Sequence, residues 1–305
     1  MLNNIEKELL NEISSLHKIP QAAINIRKNG KVETRKGSKN IQITPLESGE
    51  GIKVYVSPKT KGESVHLPVI ISQAGLQDAV TNEFIIGEGA EVTIVAGCGI
   101  HAGGTGKVGH EGFHTFTLFK NAKVRYIEKH IAKGTAPKRE FNPQTKINLG
   151  EGAEFVMESA QLGGVTSTKR TTIVCMHENS KLDVKESILT TGNDNAESNF
   201  MVDIVGSGAG CHIVSRSVAK DNSTQKFVSL LNGGAECFGH TECDAIIMDK
   251  AKVLAEPKVN ALNPNANLVH EAAIGKIAGE QILKLMTLGY TEEEAQNAII
   301  KGFLK

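Results

Sequence analysis

No tryptophan occurs in these 305 residues, and the aromatic fraction is only 4%. A chain so poor in rings has few platforms for unstacked bases, which argues against single-stranded nucleic acid as a ligand. Net charge is missing too. Lysine plus arginine and aspartate plus glutamate stand at 34 each, so no basic field draws in a nucleic-acid backbone. No apolar run approaches the ~20 residues of a membrane span. Met1-Leu2-Asn3-Asn4 carries no signal-peptide pattern. The expectation is a cytoplasmic protein with no membrane and no nucleic-acid partner. Five cysteines (98, 175, 211, 237, 243), odd in number and widely spread, do not resemble a disulfide framework. Cys98, Cys175 and Cys211 are expected in the core.

What the chain does have is a repeat. Its tightest part is Gly233–Gly275, where Gly234-Ala235-Glu236-Cys237, Asp249-Lys250-Ala251-Lys252-Val253 and Asn265-Ala266-Asn267-Leu268 share one cadence: a polar turn, a small residue, then alternating apolar positions. The cadence runs back through anchors at Ala90, Ala122, Ala153, Ser180 and Ala209. The early intervals are near thirty residues and the last ones near fifteen, which reads as a coil of about fifteen residues with every second turn marked. Units too short to bury a face alone must stack. The resulting expectation is a mainly β chain forming a parallel β-helix, flanked by short helical segments. A sandwich would need many hairpin dipeptides, and only Lys28-Asn29-Gly30-Lys31 and Leu231-Asn232-Gly233-Gly234 qualify, the second lying within the repeat.

Three regions follow. Residues 1–50 hold an amphipathic helix over 1–17, striped by Ile5, Leu9, Leu10, Ile13 and Leu16, and short strands at 23–28 and 41–44. Residues 51–272 form the β-helix. Residues 273–305 form two helices, Ile274–Leu288 stopped by Gly289 and Ala295–Leu304 opened by the capping box Thr291-Glu292-Glu293-Glu294. Such helices either cover the open end of the sheet or dock a partner, and periodicity favours the cover.

Two motifs dissolve on inspection. His110-Glu111-Gly112-Phe113-His114 spells a zinc-protease motif, but the alternation through Phe119 is that of a strand, which sets the histidines about 13 Å apart. Gly103-Gly104-Thr105-Gly106-Lys107-Val108 lacks the first glycine and the final hydroxyl of a phosphate loop. Cys237-x2-His240-x2-Cys243 is less easily dismissed. His240 points away from both cysteines in a regular strand, although a bend at Gly239 would change that. Cys243, between Glu242 and Asp244, has the more polar setting and is the better ligand, while Cys237 reads as core. His270-Glu271 pairs an imidazole with a carboxylate on opposite faces. The 28 residues from Cys243 to Glu271 approximate two coils, hence about 10 Å, too wide for one tetrahedral ion.

The runs His240-Thr-Glu-Cys243-Asp, Asn263-Pro-Asn-Ala-Asn-Leu-Val-His270-Glu271-Ala272, Gly275-Lys-Ile, Glu280-Gln-Ile-Leu and Leu288-Gly-Tyr-Thr-Glu-Glu-Glu-Ala295 through Gly302-Phe303 resemble the SufB/SufD family, scaffold components of SUF iron–sulfur cluster assembly. The resemblance is dense over 240–303 and weaker in the coil body. It implies a right-handed parallel β-helix, a SufC-type ABC ATPase docked on the C-terminal helices, and two β-helices paired as a homodimer or with a homologue. It implies a non-catalytic scaffold whose cargo is a transient iron–sulfur cluster. Cys243 matches the scaffold cysteine, and His270 and Glu271 match the residues proposed to hold the nascent cluster. With His240 these form the candidate ligand set. Three departures stand out. Ser187 replaces the cysteine thought to accept sulfur, a second cysteine is absent, and the long helix that follows in larger members is missing. A mixed ligand set suits a scaffold that must release its product. The rival is a metal-free β-solenoid, structural or carbohydrate-acting. A carbohydrate enzyme calls for paired carboxylates and aromatic subsites, and three tyrosines without tryptophan provide poor material for them.

Overall fold

The computed structural model describes residues 4–14, 22–161 and 163–305. In chain order the elements are α1 (Asn4–Ser14), β1 (Ala23–Lys28), β2 (Lys31–Lys36), β3 (Ile41–Pro45), β4 (Gly51–Val56), β5 (Glu63–Ile71), β6 (Gln77–Ile86), β7 (Glu91–His101), β8 (Lys107–Leu118), β9 (Lys123–Lys133), β10 (Lys138–Phe141), β11 (Gln144–Leu149), β12 (Glu154–Gln161), β13 (Ser167–Met176), β14 (Lys181–Thr190), β15 (Asn195–Ile204), β16 (Gly210–Ala219), β17 (Thr224–Gly233), β18 (Phe238–Ile247), β19 (Lys252–Ala261), β20 (Asn267–Gly275), α2 (Gly279–Thr287) and α3 (Glu292–Phe303). From β4 onward the chain alternates between two facing sheets, with β10 and β11 together making one pass through the second, a parallel β-solenoid of about eight turns. The first sheet runs β2-β1-β5-β7-β9-β12-β14-β16-β18-β20, and the second runs from β3 to β19. The parallel ladder extends past residues 51–272 at both ends, since β1 pairs with β5 and β20 continues to Gly275. Asn29 and Gly30, at φ 47° and 77°, make the primed turn that joins β1 to β2 as an antiparallel hairpin.

The coil is twice as long as the spacing of the anchors implied. Glu91 pairs with Lys123, Lys123 with Glu154, Glu154 with Lys181, Lys181 with Gly210, Gly210 with Phe238 and Phe238 with Asn267, steps of 32, 31, 27, 29, 28 and 29 residues. Fifteen residues make one strand and one turn, half a coil. Ala251 opens β19 in the second sheet, whereas Ala266 opens β20 in the first, so the halved interval records a change of side. Four successive turns on one side of the solenoid set a left-handed residue before a buried small one: Gly89 before Ala90, Asn121 before Ala122, Gly152 before Ala153, Asn179 before Ser180. Stacked turns leave no room for a side chain at Gly152, where a Cβ would lie 2.3 Å from Asn121 Oδ1.

Strand alternation sends apolar residues inward, where Phe84, Phe116, Tyr126, Phe155 and Phe200 lie fully buried between the sheets. Phe84 and Phe116 stack at 4.3 Å. Cys98 and Cys211 are buried, but Cys175 is only half-buried, because Val174 and Met176 take the inward positions beside it. Helix α1 docks on the outer face of the first sheet, where Gly97 and Gly99 leave space for Ile13 and Leu9. Ile5 of the expected stripe is exposed, and Glu6 is buried in its place, paired with Lys28 at 2.8 Å and accepting from Ser72. Leu16 lies outside the described residues. The first C-terminal helix starts later than expected, since Ile274 and Gly275 still belong to β20. The second is α3, with its capping box formed. Neither covers the last coil. Ile300 of α3 packs on Val218 and Ile246 of the outer face, and β19 and β20 stay largely exposed.

The interior also contains charge. Arg170 lies between Glu128 and Glu186, 3.3 Å from the latter, and Ser198 and Ser215 donate to Glu186 at 2.7 and 2.8 Å. His110 and His114, on the strand predicted for the protease-like motif, point inward to Asp78 and Asn82 at 3.0 and 3.3 Å. With Cys98, Gly112, Glu128 and His130 they line an enclosed cavity of about 20 Å³, room for one water-sized particle. Burial would raise the Glu128 carboxyl, but Arg170 and His130 outweigh it and hold it well below the ordinary range. Burial lowers His114 to about 4, opposed by Glu128 and assisted by His110, His130 and Arg170.

His114 is therefore neutral in the fold and protonates more readily once unfolded, so its contribution is complete above pH 6.5 and is lost as pH falls toward 4. The full loss is about 3 kcal/mol at 1.36 kcal/mol per pKa unit, and His130, lowered mainly by burial, acts in the same sense. Urea midpoints should drop between pH 7 and pH 5, and the drop should shrink in His114→Gln. An equal drop in the variant would show that His114 does not carry the effect.

Candidate functional site

The candidate residues occupy the last two strands of the first sheet, and register decides which of them meet. On β18, Thr241 and Cys243 point inward and His240 and Glu242 outward. On β20, His270 points inward and Glu271 outward. Thr241 pairs with His270, Glu242 with Glu271 and Cys243 with Ala272. Cys243 and Glu271 are thus one coil apart, about 5 Å in rung spacing rather than 10, but on opposite faces of the sheet. The four predicted residues divide into two pairs, Cys243 and His270 inside, His240 and Glu271 outside.

The inner pair sits where the solenoid ends. Cys243 is 2% exposed. Its sequence neighbours Glu242 and Asp244 point the other way, so the polar setting read from the sequence belongs to the opposite face. In its own column Cys243 adjoins Ser215, which in turn bonds Glu186. Burial, with the charges of Glu186 and Asp244, pushes its thiol up to about 12. A thiol raised in this way stays protonated at neutral pH unless a bound metal displaces the proton. His270 Nδ1 contacts Thr241 Oγ1 at 2.7 Å, and its buried Nε2 has no hydrogen-bond partner. Burial lowers its pKa and His240 lowers it further, with Glu271 opposing, which favours the neutral, metal-binding imidazole.

The outer pair has a third member that sequence reading missed. Ligand atoms of His240, Glu242 and Glu271 all lie within 4.8 Å of one another. His240 Nε2 is 3.8 Å from Glu271 Oε2, and the His240 ring stacks on His212 at 5.1 Å. Glu242 is raised by a hydrogen bond shared with Asp244, and then by burial and by the charge of Asp244. A step of 29 residues from Glu242 to Glu271, together with strand parity, was the signal that could have found this neighbour. Ser187, in the position of the expected sulfur-accepting cysteine, also points outward and donates to the Leu304 carbonyl at 2.9 Å, pinned under the end of α3.

Two apolar surfaces adjoin these residues. Helix α2 buries none of its side chains, and Leu283, Met286, Leu288 and Tyr290 are exposed on it and the following turn. A groove of about 430 Å³ between Met248, Ile277 and Ile282 lies at its base. On the last coil Leu254, Val259, Leu262 and Val269 are exposed, Leu262 by 71%. Among the described residues no helix is long and apolar enough to cross a membrane.

The family model for the SUF system FeS cluster assembly SufBD core domain matches residues 70–303. The chain is 28% identical over 268 residues to an iron–sulfur cluster assembly SufBD family protein of Archaeoglobus fulgidus, an alignment covering 87% of this chain and 71% of that protein. It is 31% identical over 240 residues to one of Methanothermobacter thermautotrophicus, covering 77% of this chain and 57% of the relative. It is 26% identical over 288 residues to one of Methanocaldococcus jannaschii, covering 92% and 89%. The chain therefore spans little more than half of the Methanothermobacter protein and most of the Methanocaldococcus one.

Proposed function

Because the chain belongs to the SufBD family of iron–sulfur cluster assembly proteins, we propose that it is the scaffold on which a cluster is built and handed on, with no catalytic chemistry of its own. The observation that carries this reading is the coincidence of the family match with one thiol and several imidazole and carboxylate groups on the last two strands of the first sheet. The cluster is cargo. Cys243 supplies its thiolate and His270, on the same inner face, a weaker nitrogen ligand, a combination that lets the product leave more readily than four cysteines would. A SufC-type ABC ATPase supplies the work. The exposed apolar residues of α2, too many for a helix that only covers its own chain, are its docking surface.

Pairing with a second chain, a copy of itself or a homologue, completes the ligand set. Support comes from the last coil, where two edge strands present unpaired backbone and apolar side chains, an arrangement that templates pairing unless it is covered. Seating a partner there brings a second set of ligands next to the first. Movement of docked ATPases would open or close that seam and expose Cys243, which the single chain keeps buried.

Anaerobic reconstitution with iron and sulfide tests the thiol. Cys243→Ser should fold normally and lose most of the cluster absorption. Cys98→Ser should lower stability by about 1–3 kcal/mol through burial of a hydroxyl, yet leave the cluster signal per folded chain unchanged. A normal cluster in Cys243→Ser would remove the thiol from the mechanism. Co-purification tests the helix: Leu283→Asp combined with Met286→Asp should abolish capture of the ATPase without altering the circular dichroism, and undiminished capture would move the docking surface elsewhere. Light scattering after size exclusion tests the seam, where Val259→Asp with Leu262→Asp should yield a monomer. An unchanged mass would show that the last coil is not the interface.

A further inference from the structure

On the outer face of this solenoid many charges are answered from one coil to the next. Lysine or arginine on one coil answers glutamate on the next at Lys123–Glu154, Arg125–Glu158, Lys169–Glu197 and Lys226–Glu256, all between 2.8 and 3.3 Å. At Glu242 and Glu271 the register sets carboxylate directly against carboxylate. Like charges opposite one another on neighbouring strands destabilise a sheet. Among the described residues neither carboxylate has a lysine or arginine within ion-pair distance, and the one basic group in contact is His240, 3.8 Å from Glu271.

That histidine is held for a purpose its protein contacts leave unfilled. Its Nε2 is shielded from solvent and has no hydrogen-bond partner. Its ring is fixed by stacking on His212, whose Nδ1 lies 3.9 Å from Asp183. Ligand atoms around one ion with bonds near 2.0–2.2 Å stand about 3–4 Å apart. The three groups here, within 4.8 Å of one another, reach that spacing by small side-chain rotations.

We propose that His240, Glu242 and Glu271 form a thiol-free site for a single ferrous ion on the outer face of the first sheet. One imidazole and two carboxylates form a donor set for divalent transition metals rather than for magnesium or calcium. The choice of iron among them rests on the assembly reading above. Cys243 takes no part, since its side chain leaves the same strand on the other face. Glu271 thereby belongs to an iron-holding site and not to the thiolate's own coordination shell within one chain. The two sites lie back to back across one strand at the uncovered end of the solenoid. Iron held by weak, exchangeable ligands waits there beside the thiol without being committed to sulfur.

The test uses the full chain under anaerobic conditions with ferrous ammonium sulfate and no sulfide. Equilibrium dialysis should count one bound iron per wild-type chain. His240→Ala and Glu242→Gln should each weaken it at least ~10-fold, the smallest loss expected when a metal's ligand environment is disrupted, with the β-rich circular dichroism retained in both and thermal unfolding of the metal-free chain not lowered in Glu242→Gln, which removes one of two opposed carboxylates. Cys243→Ser should bind as wild type. Cobalt(II) as a spectroscopic probe should give ligand-field bands without a sulfur-to-metal charge-transfer band. Absence of iron binding in the wild type overturns the site, as does undiminished binding in both outer-face variants, or loss in Cys243→Ser together with a charge-transfer band in the wild type. Uptake is read before sulfide is added. A wild type that holds iron here and builds no cluster therefore supports the site and counts against the assembly reading alone.

Discussion

Hydrogen bonding from coil to coil is the constraint on which the rest of this molecule depends. Every strand from β4 onward is held in register by parallel neighbours in its sheet, and that register assigns each side chain two properties. Its position along the strand sets whether it faces in or out, and the coil length sets what lies above and below it. With coils of 27–32 residues, a substitution on one strand is felt by residues nearly thirty positions away before it is felt by the residue next in sequence. Cys243 and Glu242 illustrate this. Adjacent in the chain, they share no surroundings, whereas Glu242 and Glu271 share a face and a charge conflict.

The same constraint explains how so much polarity survives inside. Stacked columns let one buried charge be answered by the next coil, as Arg170 is by Glu128 and Glu186 from the facing sheet. Neutral histidines and serine hydroxyls fill the remaining positions. A buried ion pair of this kind contributes little net stability beside an apolar core, but removing one member costs several kcal/mol. The interior is thus committed to its whole set of partners. The column that passes through Glu128, Ser159, Glu186 and Ser215 reaches Cys243 one coil before its end at Ala272, which ties the thiol to the polar interior and separates it from the carboxylates outside.

Stacking also has to stop somewhere, and the two ends stop differently. At the start, β2 and β3 turn back as antiparallel hairpins and α1 covers part of the outer face. At the other end β19 and β20 are edges, and α3 packs to one side of them. The candidate ligands are found at the end left uncovered, the only kind of place in a solenoid where inner-face and outer-face groups both lie within reach of another molecule.

The sequence by itself determined the class of fold, because period-2 alternation and turn-forming residues are local properties that short-range sterics read directly. The hairpin at Asn29-Gly30, the capping box at Thr291-Glu294 and the rejection of the protease motif at His110–His114 follow from the same local rules. The family was legible too, in the runs from His240 to Phe303. The coil length was not. Half a coil and a whole coil produce the same turn cadence, and only closure of the second sheet distinguishes them. That ambiguity placed Glu271 two coils from Cys243 instead of one and hid Glu242, while reading Glu242 and Asp244 as surroundings of Cys243 overlooked that neighbours on a strand face opposite ways. Which groups meet at the site is a matter of pairing between distant strands, an energy that no stretch of sequence contains and that tertiary structure alone decides.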